Sequence, residues 1–203
     1  MKLRAVWTAT YDLTPNLKDR LSTYGTIDPI ACAEVDQSHD ADTLFMAMEP
    51  LEGDKLTLTV ESVARVMVSG PREWQSHSTV SAMFGEVEQW AQNAHAQKIQ
   101  LVHGGADGLD SIAHAQALIH AQEGGPWLTP EVHRPDYAKY GSPRAPFVRN
   151  TQMANSDLDI ACVFLLPCTR KGCKTKTAHN THGTDHAYKE LKRIGVPIRI
   201  YQG

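Results

Sequence analysis

Short apolar runs alternate with amphipathic stretches along the last two thirds of the chain. The apolar runs have the length and composition of buried strands, and they lie at residues 66–68, 99–103, 131–133, 159–166 and 197–200. The stretches between them place apolar residues three and four apart, which predicts helices at residues 78–94, 109–121, 143–155 and 185–194. Strands that alternate with helices predict an α/β fold, in which a parallel sheet carries helices on both faces.

The same pattern predicts the inward face of one of these helices and the two ends of another. In the second helix, the spacing favours Ile112, Ala115 and Ile119 as the inward residues. In the last helix, Thr184 is the predicted N-cap and Gly195 the predicted end.

The N-terminal third follows a different pattern. Residues 3–8 form a candidate strand, and two further runs, at residues 43–48 and 55–63, flank a Glu-Gly-Asp turn that is typical of a β-hairpin. We therefore predict a small β-rich appendage of unknown role at residues 1–63. The α/β domain is predicted to occupy residues 64–203.

Composition narrows the class of protein and its partners. A net charge of −3 argues against an electrostatic grip on nucleic acid, which needs a clustered cationic surface. No apolar run reaches the roughly 18–20 residues of a membrane span, and the N-terminus does not have the pattern of a signal peptide. We therefore expect a cytoplasmic protein with no membrane partner, whose four cysteines are reduced thiols or metal ligands.

A glycine-rich turn connects the second α/β strand to the helix that follows. Gly104 and Gly105 end the strand, and Gly108 directly precedes the helix. Glycines let the backbone approach an anion closely, and the N–H groups of a helix start favour negative charge, so the turn is a candidate phosphate cradle. The alternative is a tight turn with no ligand. His103, just before the glycines, is expected to bond to the backbone rather than face a pocket.

Two more polar, glycine-containing loops follow predicted strands, at residues 70–72 and after Leu166. The carboxyl ends of parallel strands meet at one edge of the sheet, where the ligands of such folds bind. Three converging loops favour a nucleotide-sized pocket over a purely structural account.

Five polar residues in these loops and the nearby helices have candidate roles. Arg72 and Arg149 could clamp phosphate, although a surface arginine or a pair with a core carboxylate explains each equally simply. Asp110 could bind a ribose hydroxyl or carry the catalytic proton, or it could only stabilise its helix. Asn150 could bind a base or sugar, and Thr184 a phosphate. The candidate ligand-binding residues are Ser69, Gly70, Arg72, Gly104, Gly105, Asp107, Gly108, Asp110, Arg149, Asn150, Gly183 and Thr184.

A cluster of cysteine and histidine residues lies between the most apolar strand and the last helix. Cys168, Cys173, His179 and His182 offer a donor set that zinc prefers, with His186 in reserve, although the spacing matches no standard zinc finger closely. A lysine-rich loop with incidental cysteine and histidine is the alternative. A zinc ion here would fix the loop that carries the Gly183-Thr184 pair beside the pocket.

Several motifs in order resemble the YspA-like branch of the SLOG superfamily, which includes the Smf DNA-processing proteins and the Lonely-guy enzymes. The first is Val-Met-Val-Ser-Gly-Pro-Arg-Glu-Trp at residues 66–74. The others lie at residues 102–110, 135–137, 140–141, 149–153, 183–184 and 195–197. The resemblance covers about residues 64–203, and the layout is also similar to members carried by actinobacterial phages, which would place the protein in the host cytoplasm.

This resemblance implies a Rossmann-like fold that binds a nucleotide or a nucleotide-derived ligand, such as an ADP-ribose-like signal. Two departures bear on the reaction. Many relatives have arginine where this chain has Asp107, and the Lonely-guy phosphoribohydrolases have a glutamate at the position of Ala187. A binding module is therefore favoured over a nucleotide N-glycosidic hydrolase, for which Asp110 would be the candidate catalytic residue. Single-stranded DNA binding is a third hypothesis, and self-association stays open.

Overall fold

The computed structural model describes residues 2–10, 55–175 and 177–203. The chain divides into two compact units, one made of Met1–Arg4 with Glu61–Gly203 and the other of Ala5–Val60. Much of the smaller unit, including the first arm and the turn of the predicted hairpin, lies outside the described residues.

Six strands and five helices make up the described part of the chain. The strands are β1 (Lys2–Thr10), β2 (Lys55–Ser69), β3 (Lys98–His103), β4 (Glu131–Val132), β5 (Ile160–Leu165) and β6 (Ile198–Gln202). The helices are α1 (His77–Asn93), α2 (Leu109–Gln122), α3 (Tyr137–Tyr140), α4 (Arg144–Ala154) and α5 (His182–Ile194).

Five strands form a parallel sheet in the order β4-β3-β2-β5-β6, and β1 pairs with β2 off this path. The chain builds outward from β2 through β3 to β4, then crosses back to add β5 and β6 on the other side. β2 and β5 are therefore direct neighbours, with Met67 opposite Ala161. A crevice forms at the carboxyl ends of two strands where the strand order reverses in this way.

The core lies on both faces of the sheet. Val66 and Val68 point into a cluster that contains Phe84 of α1, whereas Met67 points into a second cluster with Leu191 of α5. Successive residues of a strand face opposite sides, so α1 and α2 cover one face and α4 and α5 the other. The predicted α/β class, with a Rossmann-like parallel sheet and helices on both faces, is confirmed.

The inward face predicted for α2 is confirmed for Ile112, which packs partly buried against the core, but it is wrong for Ala115 and Ile119. Leu109, Ala113 and Ala117 are buried, whereas Ile119 is 51% exposed and Ala115 is exposed as well. The buried residues are four apart and two of them are alanines, so the helix lies close to its neighbours through small side chains. Ile119 gave a misleading pattern because this large apolar residue is not on the contact face.

Two boundaries also differ from the sequence-based expectation. The runs at residues 55–63 and 66–68 are parts of one continuous strand, β2. Helix α5 begins at His182 with Thr181 as its N-cap, so Thr184 lies inside the first turn, where its Oγ1 accepts a hydrogen bond from the Thr181 hydroxyl at 2.9 Å. The predicted end of α5 is confirmed, since Gly195 is its C-cap in the left-handed conformation.

Within the described residues, no helix is long and apolar enough to span a bilayer.

Candidate functional site

A cavity of about 710 Å³ opens at the carboxyl ends of β2 and β5. Its walls come from residues 68–73 after β2, residues 166–170 after β5, the start of α5 at residues 181–184, and one face of α4. Ala106 and Asp110 complete the lining. The volume falls within the range of roughly 300–1,000 Å³ that is typical of small-molecule sites.

Most of the candidate ligand-binding residues line this cavity. They are Ser69, Gly70, Arg72, Asp110, Arg149, Asn150, Gly183 and Thr184. Within the described ranges, Gly104, Gly105, Asp107 and Gly108 are not part of the lining, and both Gly105 and Asp107 are exposed. The glycine-rich turn therefore borders the cavity mainly through the residues beside its glycines.

Asp110 is buried at the start of α2, and its carboxylate binds the backbone of the glycine-rich turn. Its Oδ2 atom accepts hydrogen bonds from the backbone N–H groups of Gly104 and Ala106, each at 3.1 Å. Burial raises the pKa of this carboxyl, while the two N–H groups and nearby Arg149 oppose the shift. Two donors of the predicted phosphate cradle thus bind a carboxylate of the protein itself.

His103 binds a third donor of the turn. The imidazole is 2% exposed, and its Nδ1 accepts the N–H of Gly105 at 3.1 Å. Nδ1 therefore carries no proton, and Nε2–H donates to Nδ1 of His114 at 2.9 Å. Burial, followed by the charges of nearby basic side chains, lowers the pKa of His103 to about 4. The expected hydrogen bond between His103 and the backbone is present.

Two glycines of the turn are required by close contacts. A Cβ at Gly104 would overlap the guanidinium of Arg149, and one at Gly108 would overlap the carbonyl oxygen of Arg72. Gly108 also has φ +74° and ψ −120°, a conformation that side chains strongly disfavour. These glycines allow two parts of the site to pack against the turn.

Arg149 is the most unusual residue of the cavity. It is 9% exposed, and its Nε and Nη1 atoms are buried with no hydrogen-bond partner in the described part of the chain. The nearest carboxylate is that of Asp110, whose Oδ2 lies 3.9 Å from Nη1, beyond hydrogen-bond distance. Burial lowers the pKa of the guanidinium, and the Asp110 carboxylate opposes this shift. A buried cation with unused donors thus lines the cavity.

The N-terminus of α5 adds a second positive feature. Thr181 caps the helix without a side-chain hydrogen bond to its backbone, and residues 182–184 form the first turn at the cavity wall. The first N–H groups of a helix have no partner within it, and they carry a partial positive charge. Asn150 fixes this turn relative to α4, because its Nδ2 donates to the carbonyl oxygen of Gly183 at 3.0 Å.

The four predicted metal ligands come together at one edge of the cavity. The ligand atoms of Cys168, Cys173, His179 and His182 all lie within 4.8 Å of one another. Cys173 Sγ is 3.4 Å from Nε2 of His179 and 3.1 Å from Nε2 of His182. His179 is oriented by its Nδ1, which lies 2.7 Å from the carbonyl oxygen of Thr177, so Nε2 is left as the ligand atom. This group could hold a metal ion.

The surroundings of Cys173 favour its thiolate. Hydrogen bonds from the Thr175 backbone N–H and from His182 are the main causes that lower its pKa to about 6. His186, the reserve ligand, is not part of the group, because its ring packs against Phe147 with centroids 4.8 Å apart.

Some lining residues were not predicted from the sequence. Pro146 and Met153 line the cavity together with Arg149 and Asn150, and their spacing of three and four residues puts them on one face of α4. That spacing is the signal that could have identified them. Arg170 adds a third arginine to the lining, and nothing in its local sequence marks it.

Comparisons with known proteins give one informative relative. No protein-family profile matches the chain, and no solved structure matches it. The chain is 31% identical over 135 residues to the curated "Gene 61 protein" of Mycobacterium phage D29, an alignment that covers 66% of this chain and 93% of the relative. The similarity to phage-carried proteins is thus confirmed, and the chain belongs to the family of the Gene 61 protein of Mycobacterium phage D29.

Proposed function

We propose that this protein binds a nucleotide or a nucleotide-derived ligand, of the size and charge of ADP-ribose, in the cavity between β2 and β5. The cavity lies where the strand order reverses, which is the usual ligand position in open α/β sheets. We further propose that the chain is a member of the YspA-like branch of the SLOG superfamily and acts in the cytoplasm of a bacterial host.

The observation that carries the proposal is the state of Arg149. A buried N–H group without an acceptor costs about 1–3 kcal/mol, and more when it is charged. An anion in the cavity would provide the missing acceptor for Nε and Nη1, and it would also lie near the N-terminus of α5. The cavity favours a phosphate group for this reason.

Charge along the rest of the cavity is consistent with an anionic ligand. Arg72 and Arg170 join Arg149 in the lining, against the carboxylates of Glu73 and Asp110. Asn150, Thr184 and Ser69 add polar groups that suit sugar hydroxyls or a base. Binding of this kind needs few contacts and does not require a positive charge on the whole protein.

The hydrolase alternative has less support. Ala187, at the position of the Lonely-guy glutamate, is fully buried in the core cluster beside Met153 and Leu191. The carboxylates in the described lining are Glu73, which is exposed, and Asp110, which accepts two backbone hydrogen bonds. A general acid or base would have to come from one of these. Binding without turnover is therefore the better interpretation.

Incubation of the protein with a panel of probes separates the three hypotheses. The panel contains AMP, ADP-ribose and a single-stranded oligonucleotide, with mass analysis of the products and calorimetric measurement of Kd. We expect ADP-ribose to bind and to be recovered intact. Release of free base would support the hydrolase, and a preference for the oligonucleotide at physiological salt would support DNA binding. Failure of every nucleotide to bind would contradict the proposal.

Substitution of Arg149 tests the anion site directly. Arg149→Met keeps most of the buried volume and removes the charge, so the Kd for ADP-ribose should rise by about 10- to 100-fold, the loss of one charged hydrogen-bonding group. The control is Arg193→Met, because Arg193 is an exposed arginine at the far end of α5. If Arg149→Met lowers the melting temperature strongly, Arg149→Lys provides the comparison, because it keeps the positive charge. An unchanged Kd in a folded Arg149 variant would overturn the proposed anion site.

We also propose Zn²⁺ as the metal for the cluster of Cys168, Cys173, His179 and His182. Two thiolates and two imidazoles are a donor set of structural zinc sites. In a tetrahedral zinc site, a sulfur and a nitrogen ligand lie about 3.5 Å apart, which follows from the usual bond lengths. The distances from Cys173 Sγ to the two imidazoles, 3.4 and 3.1 Å, are close to this value. Metal analysis of protein purified without added metal should find one zinc per chain.

A further inference from the structure

The metal cluster and the ligand cavity share the same stretch of chain. Residues 166–170 and 181–184 form one wall of the cavity, and the connection between them carries the cluster. Two residues belong to both sites, because Cys168 and His182 line the cavity and also contribute ligand atoms. A change at the metal cluster therefore reaches the cavity without any intermediate element.

This connection has little packing of its own. Backbone contacts close its base, where the N–H of Cys168 donates to the carbonyl of His179 at 2.8 Å and the N–H of Thr181 donates to that of Leu166 at 3.2 Å. Beyond the base, in the described residues 169–175 and 177–178, Cys173 is the one residue that is not exposed. Exposed side chains contribute little burial energy, so the contacts of Cys173 with the two histidines and its backbone hydrogen bond to the Arg170 carbonyl are the main restraints on the tip of the connection.

We propose that one Zn²⁺, bound by Cys168, Cys173, His179 and His182, orders the cavity wall formed by residues 166–170 and 181–184, so that zinc and ligand bind cooperatively. The cooperative part rests on the proposed ligand function. The free energy of zinc binding offsets the entropy that is lost when the loop that supplies the ligands becomes ordered, as in other small zinc sites. The ordered loop then presents the first turn of α5 to the ligand. Coupling between two sites is reciprocal, so the bound ligand must also raise the affinity of the protein for zinc.

The charge balance of this site fits a structural ion. Two thiolates neutralise Zn²⁺, and four protein ligands complete a tetrahedron with no open position. The ion therefore adds no charge to the cavity and offers no position for a substrate. Its effect on ligand binding is through the position of His182 and the residues that follow it.

The first experiment tests the zinc-ordered loop without any ligand. Full-length protein is stripped with a chelator, reloaded with one equivalent of Zn²⁺, and digested briefly with trypsin. Arg170, Lys171 and Lys174 are exposed trypsin sites within the connection. Stripped protein should be cut there at least tenfold faster than loaded protein. Equal cleavage in both forms, or substoichiometric zinc after purification, would overturn the zinc site.

The second experiment measures the coupling, with ADP-ribose as the probe. Its Kd should rise by about tenfold when zinc is removed, a typical size for coupling between two sites, and saturating ADP-ribose should tighten zinc by the same factor. Equal ADP-ribose affinity in the two forms would overturn the coupling. If zinc protects the loop but ADP-ribose binds neither form, the proposed ligand and the coupling both fail while the zinc-ordered loop stands.

Two variants and a matched control complete the test. Cys173→Ser and His179→Gln each remove one ligand, so both should lower zinc affinity by more than tenfold and expose the loop to trypsin. The second variant is available if the first folds poorly. His186→Gln is the control, because His186 is a nearby histidine of α5 whose ring packs against Phe147 instead of the cluster. Loss of zinc in His186→Gln, with retention in the other two, would overturn the assigned ligand set.

Discussion

The two loops that border the cavity use their polar groups in opposite ways. In the glycine-rich turn at residues 103–108, the backbone N–H groups of Gly104, Gly105 and Ala106 all bind acceptors of the protein itself. In the segment between β5 and the first turn of α5, the helix N-terminus lies at the cavity wall, and the four candidate metal ligands lie close to one another. These N–H groups of the first loop are thus all bound within the protein, whereas the second loop has groups that could still bind a metal ion and an anion.

This difference shows why a glycine-rich turn is weak evidence of a phosphate site. The turn has the glycines of a cradle, but its structure gives them another purpose, since they let Arg149 and the Arg72 carbonyl pack closely. The donors that would meet an anion come from Arg149 and α5. The proposed anion site depends on which donors lack a partner within the protein, and a sequence motif does not reveal this.

The largest effect that we expect is a difference in stability between two variants, each of which has one glycine of one of the two loops replaced by alanine. Gly108→Ala should lower the free energy of unfolding by about 3 kcal/mol, because a side chain is strained at this backbone conformation and overlaps the Arg72 carbonyl. Gly183→Ala should leave stability equal or raise it by up to about 1 kcal/mol, since Gly183 is helical with open space around it. Denaturant unfolding of the two variants measures the difference.

Gly85→Ala controls for the general effect of alanine in a helix. Gly85 is exposed in α1 with no atom near its missing Cβ, so this variant should behave as Gly183→Ala does. Equal stability of Gly108→Ala and Gly183→Ala would mean that the two loops do not differ in packing.

An intermediate effect is expected from acid, through His103 in the glycine-rich turn. The pKa of His103 falls from 6.5 in the unfolded chain to about 4 in the folded protein, so the unfolded state takes up its proton first as pH falls. Stability from this residue is complete above pH 6.5 and is lost as pH falls toward 4. The loss between about pH 7 and pH 5 should be about 2 kcal/mol.

The measurement is the difference in unfolding free energy between wild type and His103→Gln at each pH, because other groups titrate in both proteins. Glutamine retains a donor and an acceptor but does not titrate. A wild-type slope no steeper than that of His103→Gln would show that the imidazole is not held neutral in the folded state.

The smallest effect concerns Asp110, which binds the glycine-rich turn and partly neutralises Arg149. Asp110→Asn can keep both backbone hydrogen bonds through its carbonyl oxygen, but it removes a negative charge beside the guanidinium. Inorganic diphosphate should therefore bind about three- to tenfold more tightly to the variant, an effect of one nearby charge at a partly screened site. Isothermal calorimetry at low salt is the measurement.

Glu123→Gln, at the exposed end of α2, changes the net charge equally at a distance and should leave the affinity within twofold. Weaker binding of AMP to Asp110→Asn, together with tighter binding of diphosphate, would assign Asp110 to a ribose hydroxyl. Weaker binding of both would contradict the role in neutralising Arg149.

The parts of the structure that the sequence predicted are those with local causes. The strands and helices followed from runs and periods of apolar residues, and the four ligands of the cluster lie within fifteen residues of one another, so their proximity needs only one loop. The predicted start of α5 was wrong by three residues, because Thr181 and Thr184 are equally good caps and the choice depends on the loop before them.

The rest depends on contacts between distant segments. Arg149 lies against Gly104 although the two residues are far apart in the sequence, and no local pattern records this. The hydrogen bond of His103 to the backbone was predicted, but the role of Asp110 as acceptor for two N–H groups of the glycine-rich turn was not. The inward face of α2 was obscured because alanines make its contacts while Ile119 faces solvent.

The pairing of β2 with β5 has a consequence for how relatives of this protein can diverge. The cavity lies at the carboxyl ends of two neighbouring core strands, which are in register from Val66 opposite Ile160 to Ser69 opposite Val163. Substitutions there disturb folding, whereas the exposed positions that follow β5 tolerate exchange. Relatives can therefore acquire new ligand preferences by altering exposed lining residues such as Thr169 and Arg170, while they keep the paired strands unchanged.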